Sequence, residues 1–368
     1  MGAPPGRPAE VGTAKICAPY RRRAGPSEPR GESSAKMGAA PADEEPLPMG
    51  KRILLGLAVL LLMAVLGLAM GVGWAHLAIR QERAPLPRAE DVLASAAGDD
   101  RPVAISWINT ARQAMPRSAV LDQGRDPNPG RPYVMSHPVF VLEWSDGRLL
   151  LVDTGMDREG ALAFGKPIQS LAGAQPMAPL GPVAERLGPA RARVAGLVFT
   201  HLHVDHVEGV GALCAAIAQP VPVFMTAAQR ERSNYSTLPG RRLLEKASCT
   251  KPVTLEGGPL FQLAGFPGVF VIAAGGHTPG SQIVIAHVRE GEKLRTYAIT
   301  GDIVNQIDGV NYDLPKPFLY SLLLVPEDGE RLGELRRYLR ELRDQAGVVL
   351  LVSHDEAELA ASGVPQVE

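Results

Sequence analysis

The segment that most restricts how this chain can fold is Thr200-His201-Leu202-His203-Val204-Asp205-His206, set directly behind the apolar run Gly196-Leu197-Val198-Phe199. A short apolar run that ends in a cluster of polar side chains reads as a buried strand feeding a loop. Alternate residues of an extended segment point the same way, so His201 and His203 can reach one point together. Asp205 and His206 fall on the turn beyond, where the chain can direct them to a second point. Neutral imidazole nitrogens and a carboxylate oxygen are donors that suit a divalent ion, zinc above all. Such donors need a rigid sheet that presents loops at its edge.

Four further segments repeat the arrangement. Leu151-Val152-Asp153-Thr154-Gly155 ends a strand on an aspartate, and Gly276-His277-Thr278-Pro279-Gly280-Ser281 puts a histidine in a tight turn. Thr300-Gly301-Asp302 and Val352-Ser353-His354-Asp355 place an aspartate and a histidine at two more strand ends. With these five ordered motifs, the chain resembles the metallo-β-lactamase superfamily over about residues 130–360. The resemblance implies an α+β fold, a four-layer αβ/βα sandwich, here with an N-terminal transmembrane helix. It implies that His201, His203 and His277 hold one metal ion, that Asp205, His206 and His354 hold a second, and that Asp302 bridges both. Asp153 would orient the ligand loop. The cofactors expected are two divalent metal ions, with zinc favoured by the donor types. His203 stands where a di-iron oxidoreductase branch would carry glutamate. Asp302 matches a bridging carboxylate that true β-lactamases generally lack.

The activity implied is hydrolysis of a carbonyl ester, lactone or thioester by a hydroxide held between two ions, which lower the pKa of water. Asp205 is the catalytic candidate, passing the proton towards the leaving group. Ser136-His137-Pro138-Val139-Phe140 and the closing Ser353-His354-Asp355 are similar to the N-acyl homoserine lactone lactonase-like branch. That branch often has a tyrosine three residues after the bridging aspartate; this chain has Asn305, with Tyr312 and Tyr320 as substitutes, though packing is the more ordinary role for each. Glyoxalase-type thioester hydrolysis is a comparable alternative. A phosphodiesterase of the same fold, and a catalytically idle membrane-anchored metal-binding module that recruits a partner, are the others. The expected partners are a small-molecule substrate and the membrane. The formal net charge of −1 gives no basic surface for nucleic acid, and the sequence leaves the oligomeric state open.

The N-terminal region reads differently. Residues 1–50 are rich in Pro, Gly, Ala and Ser and predict a disordered tail. Met37 and Met49 offer alternative starts, since the stretch from Met49 resembles a complete export sequence. From Ile53 to Ala75 no residue is charged. This run makes about 34 Å of helix, against roughly 30 Å of hydrocarbon. Lys51 and Arg52 precede it, and Trp74 suits the far interface. Residues 51–79 are therefore expected to be a signal anchor, with a cleaved signal peptide and a buried helix of a soluble protein as the rivals. Residues 80–105 are expected to be a linker and 106–368 the catalytic domain, exported to the periplasmic or extracellular side. Cys17, Cys214 and Cys249 show no metal-finger spacing. Cys214 and Cys249 read as two buried thiols, or as a disulfide if the domain is exported. His137 reads as structural or as a pocket residue, His287 as solvent-facing at a strand end, and His76 as lying at the membrane interface.

Coarse strand signals fall at Val139–Trp144 and Leu149–Asp153, joined by a Ser-Asp-Gly-Arg turn. Others fall at 196–200, 221–225, 269–273, 282–287, 296–300 and 348–353, with an amphipathic helix over Glu330–Gln345.

Overall fold

Alternation along the central strands sets the layers. In the strand Val134–Glu143, Phe140 and Leu142 pack with one hydrophobic cluster while Val139 and Val141 pack with another. Successive side chains of a strand point to opposite faces, so both faces of this sheet are covered. The computed structural model describes residues 48–80 and 83–367. The predicted tail, with Cys17 and Met37, lies outside the described residues except at 48–50. The chain divides into two compact units, residues 1–57 and 58–368. Among its described residues the first holds only the start of helix α1 (Met49–Arg80).

In the second unit, α2 (Ala89–Ala94), β1 (Ala104–Ala114), β2 (Val134–Glu143), β3 (Leu149–Val152), α3 (Arg158–Ala172), β4 (Ala178–Pro179) and α4 (Val183–Arg186) come first. β5 (Val194–Val198), α5 (Val204–Val207), α6 (Val210–Ala216), β6 (Val221–Met225), α7 (Ala227–Glu231), α8 (Leu238–Lys246) and β7 (Thr250–Thr254) follow. The second sheet is built from β8 (Leu260–Gln262), β9 (Val269–Ala273), β10 (Gln282–Glu290), β11 (Lys293–Ile299) and β12 (Val349–Leu351), with α9 (Asp308–Asn311), α10 (Gly329–Ala346) and α11 (Glu356–Ala361). The first sheet runs β4-β1-β2-β3-β5-β6-β7 and the second β12-β11-β10-β9-β8.

Phe140, Leu150, Val152 and Val198 from the first sheet meet Val271, Val284, Tyr297 and Ile299 from the second in one buried cluster. The outer face of the first sheet packs Val141, Leu151 and Leu197 against Val183, Leu213 and Leu244 from helices. The outer face of the second packs Ile283 and Ile285 against Leu332, Leu335, Leu339 and Leu342 of α10. Helix, sheet, sheet, helix is the four-layer arrangement expected. Asp328 caps α10 by accepting from the Arg331 amide, and Gly347 ends the helix in a left-handed conformation.

Two stretches differ from a plain reading of the sequence. Residues 80–105 carry α2, whose Ala89 and Val92 pack into the cluster under α10. β1 gave no strand signal because Asn109, Thr110 and Gln113 interrupt its apolar pattern; all three are buried. Each makes at least one hydrogen bond: Asn109 Oδ1 accepts from the His137 amide at 3.0 Å, Thr110 Oγ1 donates to the His137 carbonyl, and Gln113 Nε2 donates to the Gln175 carbonyl. Helix α1 is long and apolar enough to cross a membrane, which fits a membrane anchor.

Candidate metal centre

The predicted site residues sit beyond the C-terminal ends of strands, in the turn between two strands, or on the short helix that follows β5. β3 leads to Asp153, β5 to His201 and His203, the β9–β10 turn to His277, β11 to Asp302, and β12 to His354. α5 begins at Val204 and carries Asp205 and His206. The loop is held from outside by α8: a Cβ on Gly240 would fall 2.2 Å from the Leu202 carbonyl oxygen, so the helix backbone lies directly on the ligand loop.

The seven predicted ligands come together, all buried. His201 Nε2 lies 3.0 Å from His203 Nδ1, which lies 3.1 Å from His277 Nε2. Asp302 Oδ2 is 3.8 Å from His201 Nε2 and 3.6 Å from His277 Nε2. One ligand atom from each of these four residues falls within 4.8 Å of the others. His206, Asp302 and His354 form an adjoining group with the same property. Asp205 Oδ2 stands 3.4 Å from His354 Nε2 and 3.7 Å from His206 Nε2.

Partners on the outward ring atoms decide which nitrogens face inward. Thr200 Oγ1 donates to Asp153 Oδ2 and so accepts from His201 Nδ1, 3.1 Å away. Ser236 Oγ donates to Asn234 Oδ1 and accepts from His203 Nε2 at 2.9 Å. His277 Nδ1 meets Glu327 Oε1 at 2.6 Å, His206 Nδ1 meets Asp153 Oδ2 at 2.8 Å, and His354 Nδ1 meets the Ser136 carbonyl at 2.7 Å. Each ring thus turns its other nitrogen towards the centre. Asp302 Oδ1 is buried without a hydrogen-bond partner. Converging lone pairs around an orphaned carboxylate oxygen are the surroundings a divalent cation fits.

The electrostatics divide the five rings into two sets. Burial holds His203 down to about 3 and lowers His201 and His277, with neighbouring histidines adding to the effect for the first two and Lys316 for the third. These three rings are neutral, as ligands must be. Burial alone would raise Asp205 and Asp302, but the surrounding histidines outweigh it and keep both ionised. Burial opposes protonation of His206 and His354; nearby carboxylates outweigh it and raise both.

Four contributors went unnamed or undervalued in the sequence. Glu327 and Lys316 pair at 2.7 Å behind His277, and Ser236 backs His203. His137 is buried, with Nδ1 3.2 Å from Asp205 Oδ2. Burial pushes it down to about 4, and it forms a further three-residue group with Asp205 and His354. His287, expected at the surface, is instead fully buried. β10 continues past it, and Ser95 Oγ and Thr296 Oγ1 both lie 2.9 Å from its ring nitrogens. Tyr312 is exposed, whereas Tyr320 lines the cavity that opens on the site. That cavity measures about 810 Å³ and is walled by Met115, Val120, Met135, Phe164, Ile168 and Leu171 among others.

The metallo-β-lactamase superfamily model matches residues 132–354, more than half of the chain. The chain belongs to the metallo-β-lactamase superfamily. It is a hydrolase of that superfamily, with histidine and aspartate groups suited to divalent metal. Its fold is similar to that of an N-acyl homoserine lactone hydrolase solved with the product N-hexanoyl-L-homoserine at its catalytic metal centre; identity is 17%, the TM-score 0.52, and the match covers 71% of this chain and 96% of that one. B. thuringiensis AiiA, solved with N-decanoyl-L-homoserine bound at the active site, gives the same four figures. A quorum-quenching N-acyl homoserine lactone hydrolase matches at 18% identity and a TM-score of 0.51, over 70% of this chain and 95% of that one. No curated protein matches this superfamily member.

Proposed function

We propose that this chain is a membrane-anchored dinuclear metallohydrolase that cleaves an ester, lactone or thioester carrying an apolar acyl group. The observation that carries the reading is the pair of adjoining ligand groups opening on an apolar cavity of about 810 Å³. His201 Nε2, His203 Nδ1 and His277 Nε2 would hold one ion, and Asp205, His206 and His354 the other, with Asp302 serving both. Zinc suits this donor set. When bound, such ions polarise a carbonyl oxygen and acidify water.

The protein's own groups do the rest. Asp205 lines the cavity, and its Oδ2 lies 3.2 Å from His137 Nδ1. As an ionised carboxylate it can take a proton from attacking water and pass it to the leaving oxygen or sulfur. Tyr320 lines the same wall, and burial, with the charge of Glu327, raises its hydroxyl well above the ordinary range. It therefore stays protonated and can donate to the substrate carbonyl, the role left open by Asn305. Asp153 keeps His206 and Thr200 in register through both carboxylate oxygens. The apolar wall receives the acyl chain and excludes water. The N-acyl homoserines bound in two fold neighbours are the ring-opened forms of lactones and favour a lactone among the candidate substrates. The Cys214–Cys249 disulfide supports export of the catalytic domain to an oxidising compartment.

The test is a panel of lactone, thioester, phosphodiester and cephalosporin substrates on the full-length protein in detergent, with metal content measured in parallel. His203→Ala and Asp205→Ala should each lose bound metal and lower turnover of the preferred ester, lactone or thioester by at least about 100-fold. Full turnover by a metal-free variant would refute the reading, as would exclusive cleavage of the phosphodiester.

A further inference from the structure

Helix α1 meets the catalytic unit before its uncharged run has ended. Gly71 and Val72 are partly covered, Ala75 and Ile79 are fully buried, and these positions recur three and four residues apart. One stripe of the helix therefore lies against protein. His76 Nε2 sits 3.0 Å from the Leu322 carbonyl oxygen. The run without charge extends to Ala75, so contact begins about 6 Å before it ends. Exposed Trp74 marks the same level. If α1 spans the bilayer, the turn Tyr320–Leu324 is held at the lipid–water boundary.

That part of the surface is apolar. Phe318 is 74% exposed, Leu319 64%, Leu323 46% and Leu324 59%. A single exposed leucine is ordinary, but four such side chains within seven residues make a patch that needs an occupant. The patch borders the cavity. Leu324 lines it from this turn, and Leu171, 77% exposed at the end of α3, lines it from another element. Tyr235, which also lines the cavity, donates to the Leu323 carbonyl at 2.7 Å and fixes the turn there.

We infer that the Phe318–Leu324 turn docks on the bilayer beside α1 and sets the cavity mouth against the lipid, so that amphiphilic substrates with long acyl chains enter from the membrane phase. The inference rests on α1 as the anchor and deepens the proposed function by naming where the substrate comes from. The occupant is lipid because the patch continues from the apolar stretch of α1.

Vesicle binding alone is uninformative, since α1 would supply it. The experiment is depth measurement on the full chain in phospholipid vesicles. In a Cys17→Ser background, Leu319→Cys is labelled with an environment-sensitive fluorophore and quenched with nitroxide-labelled lipid. Leu294→Cys is the control, exposed at the start of β11, the strand end opposite the site. Quenching at 319 should exceed that at 294 by about threefold or more; equal quenching overturns the docking. Alkaline extraction of the chain from the vesicles would overturn the anchor and the docking together.

A second arm replaces Phe318, Leu319 and Leu323 with serine, none of which lines the cavity. KM for a dodecanoyl thioester dissolved in vesicles should rise roughly tenfold, while a water-soluble butanoyl thioester keeps its kcat/KM. An unchanged KM for the long-chain probe overturns entry from the lipid. If the wild type cleaves neither probe, the thioester arm of the proposed function falls, and entry is read with the dodecanoyl and butanoyl lactones instead.

Discussion

Glu327 ties the metal centre to the rest of the protein through one side chain. Its Oε1 meets His277 Nδ1 at 2.6 Å and accepts from Lys316 Nζ at 2.7 Å, while Lys316 also donates to the Asp302 carbonyl at 2.6 Å. Burial opposes its ionisation, but Lys316 and His277 together hold Glu327 down at about 2. Glu327→Gln should weaken metal binding by roughly 10–100-fold, read by competition with a chromophoric chelator. It should also lower stability by about 3 kcal/mol, because the Lys316 ammonium is left buried without its counter-charge. Unchanged affinity would count against this role. The seven clustered residues were legible in the sequence as candidate ligands because four of them share six consecutive positions, and the others follow strands or lie in a turn between them. Glu327, Lys316 and Ser236 were not, since each is a lone polar residue whose meaning comes from what folds against it. Tyr320 could be named but not placed; only the cavity separates it from Tyr312.

Among the elements, β10 carries a titration that the sequence disguised. His287 looked like the polar end of a strand, yet the strand runs to Glu290, and segments from either side supply its partners. Burial, aided by the charge of Arg101, lowers this imidazole from 6.5 to about 4. The unfolded chain takes up the proton near pH 6.5 and the folded one resists it to about pH 4. The stability at stake is therefore complete above pH 6.5 and is lost as pH falls through that window. Between pH 7 and 4.5, the stability difference between wild type and His287→Asn should shrink by about 2 kcal/mol, read from thermal melts in detergent. β1 was missed for a related reason: buried polar side chains that are hydrogen-bonded imitate a loop. The pairing of Cys214 on α6 with Cys249 ahead of β7 closes a loop with a separation of 35 residues. Reduction should remove about 2–4 kcal/mol and lower Tm by roughly 5–10 °C, compared with and without reductant.

At the scale of the whole molecule, the layer order was readable because strands with apolar residues on both faces demand cover on both sides, and the amphipathic Leu332–Leu342 stripe supplies part of it. The cavity was not readable, since its wall is assembled from pieces that carry no shared pattern. Removing metal with a chelator should lower Tm by roughly 5 °C, and adding zinc at about 100 times Kd should restore it, because binding contributes about 2.7 kcal/mol at that concentration; a melt indifferent to zinc would argue against a folded-state ion. One consequence of the cavity's construction reaches further. Met115 and Val120 follow β1, Phe164 and Ile168 ride on α3, and the ligands stand on other segments at the strand ends. If the proposed function holds, reactivity and selectivity are written in separate stretches of chain. On the proposed function, descendants of this protein could exchange one acyl preference for another by altering a helix face and a loop, leaving the histidine and aspartate cluster untouched.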